Sequence, residues 1–370
     1  MLYASVGAGH RQAASAIVAA LQSSAPRLDV SSADVMAFAP RFFRACYAGG
    51  FVLGMTRFPR VYGLGFRLTD RPHGPWRGRF ERLRLWTERL ATKRLARFLA
   101  EHQPDFIVNT HFLAPPVVAR LVARGLLKAS QAVVVTDIEV HRWWYSEGVD
   151  HWFAPADCGA ATLLRWGIPP ERITVCGIPV HPKWTAPVDR AKALADWKLP
   201  GDGKIVLLSG GTEFVCGPVP KIARDILSAC PRACLVVLAG RNKDLLADLS
   251  RLPDAGKRLF PVAFTDRAQE LAAVSSLMVT KPGGITTAEC LARGVPMVLL
   301  RPVPGQEGGN AAYLAREGAA VIARNPREIV GAVARLLGDE GELARLAANA
   351  RRLYKPATET IVKAVISAAG

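Results

Sequence analysis

Residues 279–310 read VTKPGGITTAECLARGVPMVLLRPVPGQEGGN. An apolar run meets Pro-Gly-Gly, a short helical segment follows, and a second apolar run ends in prolines and a polar turn. That is strand, tight turn, helix, strand: the unit of a parallel sheet covered by helices. It has the rhythm of a nucleotide site but lacks the Walker lysine signature. After Lys281, the successive glycines Gly283 and Gly284 offer backbone donors at a helix start, where a diphosphate can be held. Glu289 follows in that helix, where a carboxylate can accept both hydroxyls of a ribose. Gln306, Glu307 and Asn310 close the stretch with paired donors and acceptors suited to sugar hydroxyls. A plainer alternative stays open, since Thr286 and Glu289 stand in Thr-x-x-Glu spacing, a capping box that needs no ligand.

On either side, apolar runs of four to eight residues alternate with helix-period segments. Strands are predicted at FIVN (106), AVVVT (132), HWFAP (151), ITVCG (173), IVLLSGG (205), CLVVLAG (234), LMVTK (277), PMVLL (296) and AAVIA (319). Helices are predicted at GHRQAASAIVAALQSS, GPVPKIARDILSAC and GGNAAYLARE. The fold class is therefore α/β, with two doubly wound, Rossmann-like domains. The break falls in the Pro-rich segment 177–204. This gives a first domain over 1–183, a linker over 184–203 and a second domain over 204–355. A last helix over 356–370 is expected to pack back on the first. In such a pair the cleft between domains is the default ligand site.

Length and composition agree with this division. At 370 residues and 50% hydrophobic content the chain can bury two cores. Its formal net charge is +17, so the expected partners are nucleic acid, an anionic lipid surface or a phosphorylated substrate. Seven scattered cysteines without Cys-x-x-Cys pairs imply reduced thiols, and neither disulfides nor a zinc site are expected. MLYASVGAGH lacks a basic leader, so no secretory signal is expected.

Further candidate positions lie at strand ends. SVGAGHRQAAS sets Gly7 and Gly9 in a turn before a helix that begins with His10 and Arg11, a place for a phosphate or lipid head group. VVVTDIEVHRWW ends a strand at Thr136 and Asp137, with His141 next. Asp137 there can orient or deprotonate an acceptor hydroxyl, or simply form a turn. NTHFLAP similarly carries His111, and SGGTEF sets Gly210 and Gly211 directly after a strand.

The charge is concentrated. Residues 41–100 hold fourteen Lys or Arg against three acidic residues, +11 of the +17. Among them are Arg41, Phe42, Phe43, Arg44, Arg57, Phe58 and Arg60, cations interleaved with large apolar side chains. That pattern fits a peripheral protein on an anionic membrane, each cation adding about 1 kcal/mol. It fits nucleic acid less well, because the surplus adjoins an apolar run and not a polar groove. The apolar run ACYAGGFVLGMT at 45–56 is shorter than the ~20 residues a span requires.

Taken together, GAGHRQAAS, VVTDIEVHRWW, HWFAPADCGAATLLRWGIPPERITVCGIPVHPKW, SGGTEFVCGP and KPGGITTAECLARGVPMVLLRPVPGQEGGNAAYL resemble the bacterial processive diacylglycerol glycosyltransferases and the plastid monogalactosyldiacylglycerol synthases. These are relatives of the peptidoglycan N-acetylglucosaminyltransferase. The resemblance implies a glycosyltransferase-B fold and transfer of a hexose from a UDP-sugar to a membrane lipid, most simply diacylglycerol. It also implies an N-terminal acceptor half and a C-terminal donor half, working at the cytoplasmic face. Gly283, Gly284 and Thr286 would face the UDP diphosphate, Glu289 the ribose, and Gln306, Glu307 and Asn310 the hexose. His10 or Asp137 would be the base of a single inverting displacement, with Gly9, His111 and His141 near the lipid head group. No cofactor and no metal are expected in the chemical step, since no Asp-x-Asp motif is present. Rival readings are a lipid II-type transferase, a UDP-N-acetylglucosamine 2-epimerase and a non-catalytic UDP-sugar sensor.

Overall fold

The computed structural model describes residues 1–70, 77–210, 218–300, 302 and 305–369. Gly211, with Thr212 and Glu213, and Pro304 lie outside the described residues. The chain divides into two compact units: Met1–Pro182 with Val303–Gly309 and Lys355–Gly370, and Lys183–Pro302 with Asn310–Tyr354.

The first unit is built on a six-stranded parallel sheet. Its strands are β1 (Leu2–Tyr3), β2 (Ala33–Asp34), β3 (Phe106–Asn109), β4 (Ser130–Val134), β5 (His151–Ala154) and β6 (Ile173–Val175), in the order β2-β1-β3-β4-β5-β6. Its helices are α1 (Gly9–Ser24), α2 (Arg41–Arg57), α3 (Pro59–Thr69), α4 (Arg77–Ala91), α5 (Lys93–His102), α6 (Pro115–Ala123) and α7 (Asp157–Arg165). The two-residue side-chain period of a strand sends alternate residues of β4 to opposite cores. Ala132 and Val134 meet Ile17 and Leu21 of α1, while Val133 packs with Trp144, Trp152 and Leu163. Leu95, Leu99, Val117 and Leu121, from α5 and α6, fill a third cluster against Leu2 and Ile107.

In the second unit the strands are β7 (Lys204–Ser209), β8 (Ala233–Gly240), β9 (Leu259–Ala263), β10 (Leu277–Thr280), β11 (Met297–Leu300) and β12 (Ala320–Ala323). Their order is β12-β11-β10-β7-β8-β9, all parallel. The helices are α8 (Arg190–Asp196), α9 (Val219–Ala229), α10 (Lys243–Ser250), α11 (Ala268–Val274), α12 (Gly284–Arg293), α13 (Gln306–Arg316), α14 (Pro326–Gly338) and α15 (Glu340–Leu353), α13 starting within the first unit. The central strands β7 and β8 are near-continuous Val, Ile and Leu, as a sheet buried on both faces requires. Residues 184–203, expected as a linker, fall within this unit: α8 packs on α11, and Trp197 Nε1 donates to Glu270 at 3.0 Å.

The last helix, α16 (Ala357–Ala369), lies against α1 in the first unit. Ile361, Val362 and Val365 join the cluster of Ile17 and Leu21, each contributing on the order of 1.5–3 kcal/mol by burial. Thr358 Oγ1 donates to the Val180 carbonyl at 2.7 Å and fixes its start.

Candidate active site

A doubly wound sheet leaves a crevice where its strand order reverses, at the carboxyl ends of the strands. In the first sheet that point lies between β1 and β3, so the loops leaving these strands come together. Gly7, with φ of 90°, makes the turn out of β1, a conformation that favours glycine. Gly9 and His10 then open α1. The end of β3 grips that start twice: the Thr110 carbonyl accepts from His10 Nδ1 at 2.7 Å, and the Thr110 hydroxyl donates to the His10 carbonyl at 2.9 Å.

This grip sets the tautomer of His10. A carbonyl only accepts, so the proton sits on Nδ1 and the lone pair on Nε2. Thr136 Oγ1 stands 3.1 Å from the same Nδ1. The rings of His111 and Trp144 lie 4.5 and 6.0 Å from that of His10. Burial holds the imidazole down to about 4, so it is neutral at physiological pH. His111 is buried too and pushed well below its usual value, first by desolvation and then by His10. Its Nδ1 accepts from the Leu113 N–H at 3.2 Å.

A cavity of about 350 Å³ opens beside this cluster. His10, His111, Asp137 and His141 all line it, together with Trp143, Trp144, Tyr62 and Phe66. Motifs from three separate strand ends, after β1, β3 and β4, thus converge on one cavity. His141 has a second task. Its Nε2 donates to the Phe66 carbonyl at 2.9 Å and its Nδ1 accepts from the Trp143 N–H at 3.2 Å, which ties α3 to the loop after β4. Tyr62, with Asp137 and Glu307 nearby, has its phenol pushed up to about 12, first by burial.

Gln306 also lines this cavity. The stretch Val303–Gly309, expected in the second domain, groups with the first unit. At Gly305, with φ of 116°, a Cβ would stand 3.1 Å from Tyr62 and 3.4 Å from Phe66. At Gly309 a Cβ would collide with the Glu139 carboxylate, so α13 begins directly against α3 and the loop after β4.

The reversal point of the second sheet lies between β7 and β10. Gly210 follows β7, and Lys281, Gly283 and Gly284 follow β10. Gly283 is the N-cap of α12, and no side chain caps that end. The capping-box alternative is thereby overturned: Pro-Gly-Gly starts the helix early, so Thr286 is its third residue and not its cap. The first amides of α12 have no acceptor within the helix and point outward with its positive dipole end. A Cβ on Gly283 would meet nothing within 4 Å.

Glu289, half-buried one turn further on, has its carboxyl raised to about 8 by desolvation, against a smaller opposing pull from Lys183. Asn310 is fully buried and its Nδ2 donates to the Pro282 carbonyl at 3.0 Å, which braces the Pro-Gly-Gly turn. Among the described residues, no group of three or more His, Cys, Asp and Glu could hold a metal ion.

The basic arm forms α2 to α4. Arg41, Arg44, Arg57 and Arg60 are exposed, and Phe42 and Phe58 expose 80% and 57% of their surface. Phe43 differs: helical spacing turns it inward, where it packs on the first unit's core and stacks on Tyr47 at 5.4 Å. Three residues that the sequence reading passed over, Val61, Leu64 and Leu68, are exposed along one face of α3 at i, i+3 and i+7 spacing. No helix among the described residues is long and apolar enough to cross a membrane.

Residues 10–180 match the model of the monogalactosyldiacylglycerol (MGDG) synthase family, and residues 211–360 that of the glycosyltransferase family 28 C-terminal domain. The processive diacylglycerol beta-glucosyltransferase of Bacillus mycoides is 32% identical over 73% of this chain and 69% of its own length. The Bacillus subtilis enzyme of the same name is 32% identical over 72% and 69%. In structure the chain is similar to MurG of Acinetobacter baumannii, with a TM-score of 0.53 at 17% identity over 76% and 79% of the two chains. MnaA of Staphylococcus aureus in complex with UDP gives 0.58 at 18% over 74% and 78%. These two likenesses establish the glycosyltransferase-B fold, on which epimerases and transferases both occur. The sequence identity decides between them: the chain belongs to the diacylglycerol glycosyltransferase family.

Proposed function

We propose that the protein transfers a hexose from a UDP-sugar to the free hydroxyl of a diacylglycerol-type membrane lipid, with inversion at the anomeric carbon. The observation that carries this reading is His10, a neutral imidazole with its proton fixed on Nδ1, on the wall of an aromatic cavity in a chain of this family. Nε2 of His10 takes the proton of the acceptor hydroxyl as its oxygen attacks the anomeric carbon. The bond from that carbon to the UDP phosphate breaks, and UDP departs with the electron pair. Asp137, on the same cavity, offsets the charge of the imidazolium.

On the donor side the amides at Gly283 and Gly284, with Thr286, hold the diphosphate and its growing negative charge. Glu289 accepts from the ribose hydroxyls, and Lys281 and Gly210 border the phosphates. Gln306 and Glu307 stand by the transferred sugar. In this mechanism the chemical step uses no metal or other cofactor, because helix amides supply the electrostatic stabilisation.

The protein works as a peripheral enzyme on the anionic, cytoplasmic face of the membrane, and nucleic acid is not a partner. Support comes from the exposed arginines and the exposed apolar face of α3. Changing Arg41, Arg44, Arg57 and Arg60 to glutamine should release it from anionic liposomes in a sedimentation assay.

The deciding experiment incubates the protein with radiolabelled UDP-glucose or UDP-galactose and a total lipid extract. A labelled glycolipid whose anomeric configuration is opposite to the donor's is expected from one of them. No glycolipid from either donor would overturn the reading.

A further inference from the structure

Helix α3 has two unlike faces. Val61, Leu64 and Leu68 are exposed along one, whereas Tyr62 and Phe66 line the cavity on the other. Phe66 has a use already, since its ring lies 4.0 Å from that of His141 and its carbonyl accepts from His141 Nε2. Tyr62 is seated more narrowly. Its ring fits between two glycines: a Cβ on Gly54 of α2 would stand 3.3 Å from it, and one on Gly305 would stand 3.1 Å from it. Gly54, Tyr62 and Gly305 all belong to the first unit, and Gly305 directly precedes Gln306 and Glu307. The turn that opens α13 is thus moulded on this ring.

A phenylalanine would fill that slot equally well, so the hydroxyl needs a reason of its own. A hydroxyl taken out of water costs stability unless it finds a partner. Burial first, then Asp137 and Glu307, hold the proton on the phenol, so it is a donor facing groups that only accept. Asp137 acts on it more strongly than Glu307, lines the same cavity and is only 9% exposed. A carboxylate so placed depends on donors to stay ionised. The other charged groups of the wall have contacts elsewhere. Arg84 Nη1 donates to both oxygens of Glu88, His141 holds the Phe66 carbonyl, and the Glu139 carboxylate lies against Gly309 of α13. Tyr47 of α2 is held protonated too, first by burial.

We infer that Tyr62 is a positioning residue of the transfer: its O–H orients Asp137, and its ring seats the turn that leads to Gln306 and Glu307. This rests on the proposed reaction and gives one side chain of α3 a hand in both the proton transfer and the placing of the sugar.

The test separates hydroxyl from ring, with diacylglycerol in mixed micelles and whichever UDP-hexose turns over. Tyr62→Phe keeps the ring. At saturating donor its kcat should fall about tenfold or more, the effect of losing one hydrogen bond to a charged group, with donor KM, UDP affinity and melting temperature at the wild-type values. Without the O–H the ionised form of Asp137 is less favoured, so the acid limb of the kcat profile should move to higher pH. In an Asp137→Asn background the same change should cost less than about twofold. Tyr62→Leu removes the ring as well and should add a rise of about tenfold in donor KM, with UDP affinity again unaltered. A wild-type kcat in Tyr62→Phe would overturn the inference, as would a fallen kcat with the acid limb in place. So would losses that multiply in the Asp137→Asn background, or an unaltered donor KM in Tyr62→Leu. A wild type that yields no glycolipid would overturn the proposed function itself, and this role with it.

Discussion

At the reversal point of the first sheet, the groups presented are side chains: His10, His111 and Trp144 in ring contact, with Thr110 and Thr136 on the His10 nitrogen. At the reversal point of the second, they are mostly backbone: an uncapped helix start behind Gly283, braced by the buried Asn310. Both sheets are parallel and six-stranded, so topology does not cause the contrast. Under the proposed function the cause is chemical. A proton has to move at the first site, which needs a side chain of fixed tautomer in a solvent-poor setting. A diphosphate has to be held at the second, which fixed amide dipoles do without titrating.

The contrast breaks most visibly at His10. His10→Ala should lower kcat by about 10²- to 10⁴-fold, the range of a general base, and leave UDP affinity intact. Loss of UDP binding instead would erase the division between the two sites. At saturating donor, the acid limb of the wild-type kcat profile should stand well below pH 6.5, because burial keeps His10 neutral down to about 4.

Glu289 tests the carboxylate at the backbone site. Its carboxyl stays protonated up to about pH 8 in the free protein, and ribose hydroxyls donate best to the ionised form. UDP affinity should therefore weaken as pH falls from 8 to 6, by up to about tenfold per unit. In Glu289→Gln it should be weaker and flat with pH. Stability runs the other way. The unfolded carboxyl ionises near its ordinary value and the folded one near 8, so the unfolded state binds fewer protons between them. The free wild type should lose stability as pH rises through that window, a slope that thermal melts of Glu289→Gln should lack.

Smaller effects sharpen the second site. Gly283→Ala meets open space, so its melting temperature should stay at the wild-type value. If the glycine serves ligand approach, the donor KM should rise on the order of tenfold; an unaltered KM would return the turn to a structural role. Asn310→Ala should cost about 1 kcal/mol in denaturant unfolding, the worth of its bond to Pro282.

The sequence carried the strands well because parallel strands buried on both faces are runs of Val, Ile and Leu, as in KIVLLS and ACLVVLAG. It concealed β2, two residues long, and β9, where Pro261 sits in an edge strand. Site residues at strand ends were legible because turn chemistry marks them. Those supplied by helices were not. Tyr62 and Phe66, four apart on α3, read as part of an apolar membrane arm, and only the fold turns that face toward Gly305 and the cavity. Asn310 has a task that polarity in a loop motif does not reveal: it is buried and holds the Pro282 carbonyl.

The path of α16 has a consequence for how the protein is made. The first unit begins at Met1, yet the cluster around Ile17 and Leu21 is completed by Ile361, Val362 and Val365. The ribosome therefore delivers the whole second unit before the first can close. Residues 183–354 are largely continuous in sequence and can fold as they emerge, while the earlier-made face of α1 waits uncovered for its last partner. In this chain the face of α1 that carries Ile17 and Leu21 is among the last surfaces of the amino-terminal unit to be covered.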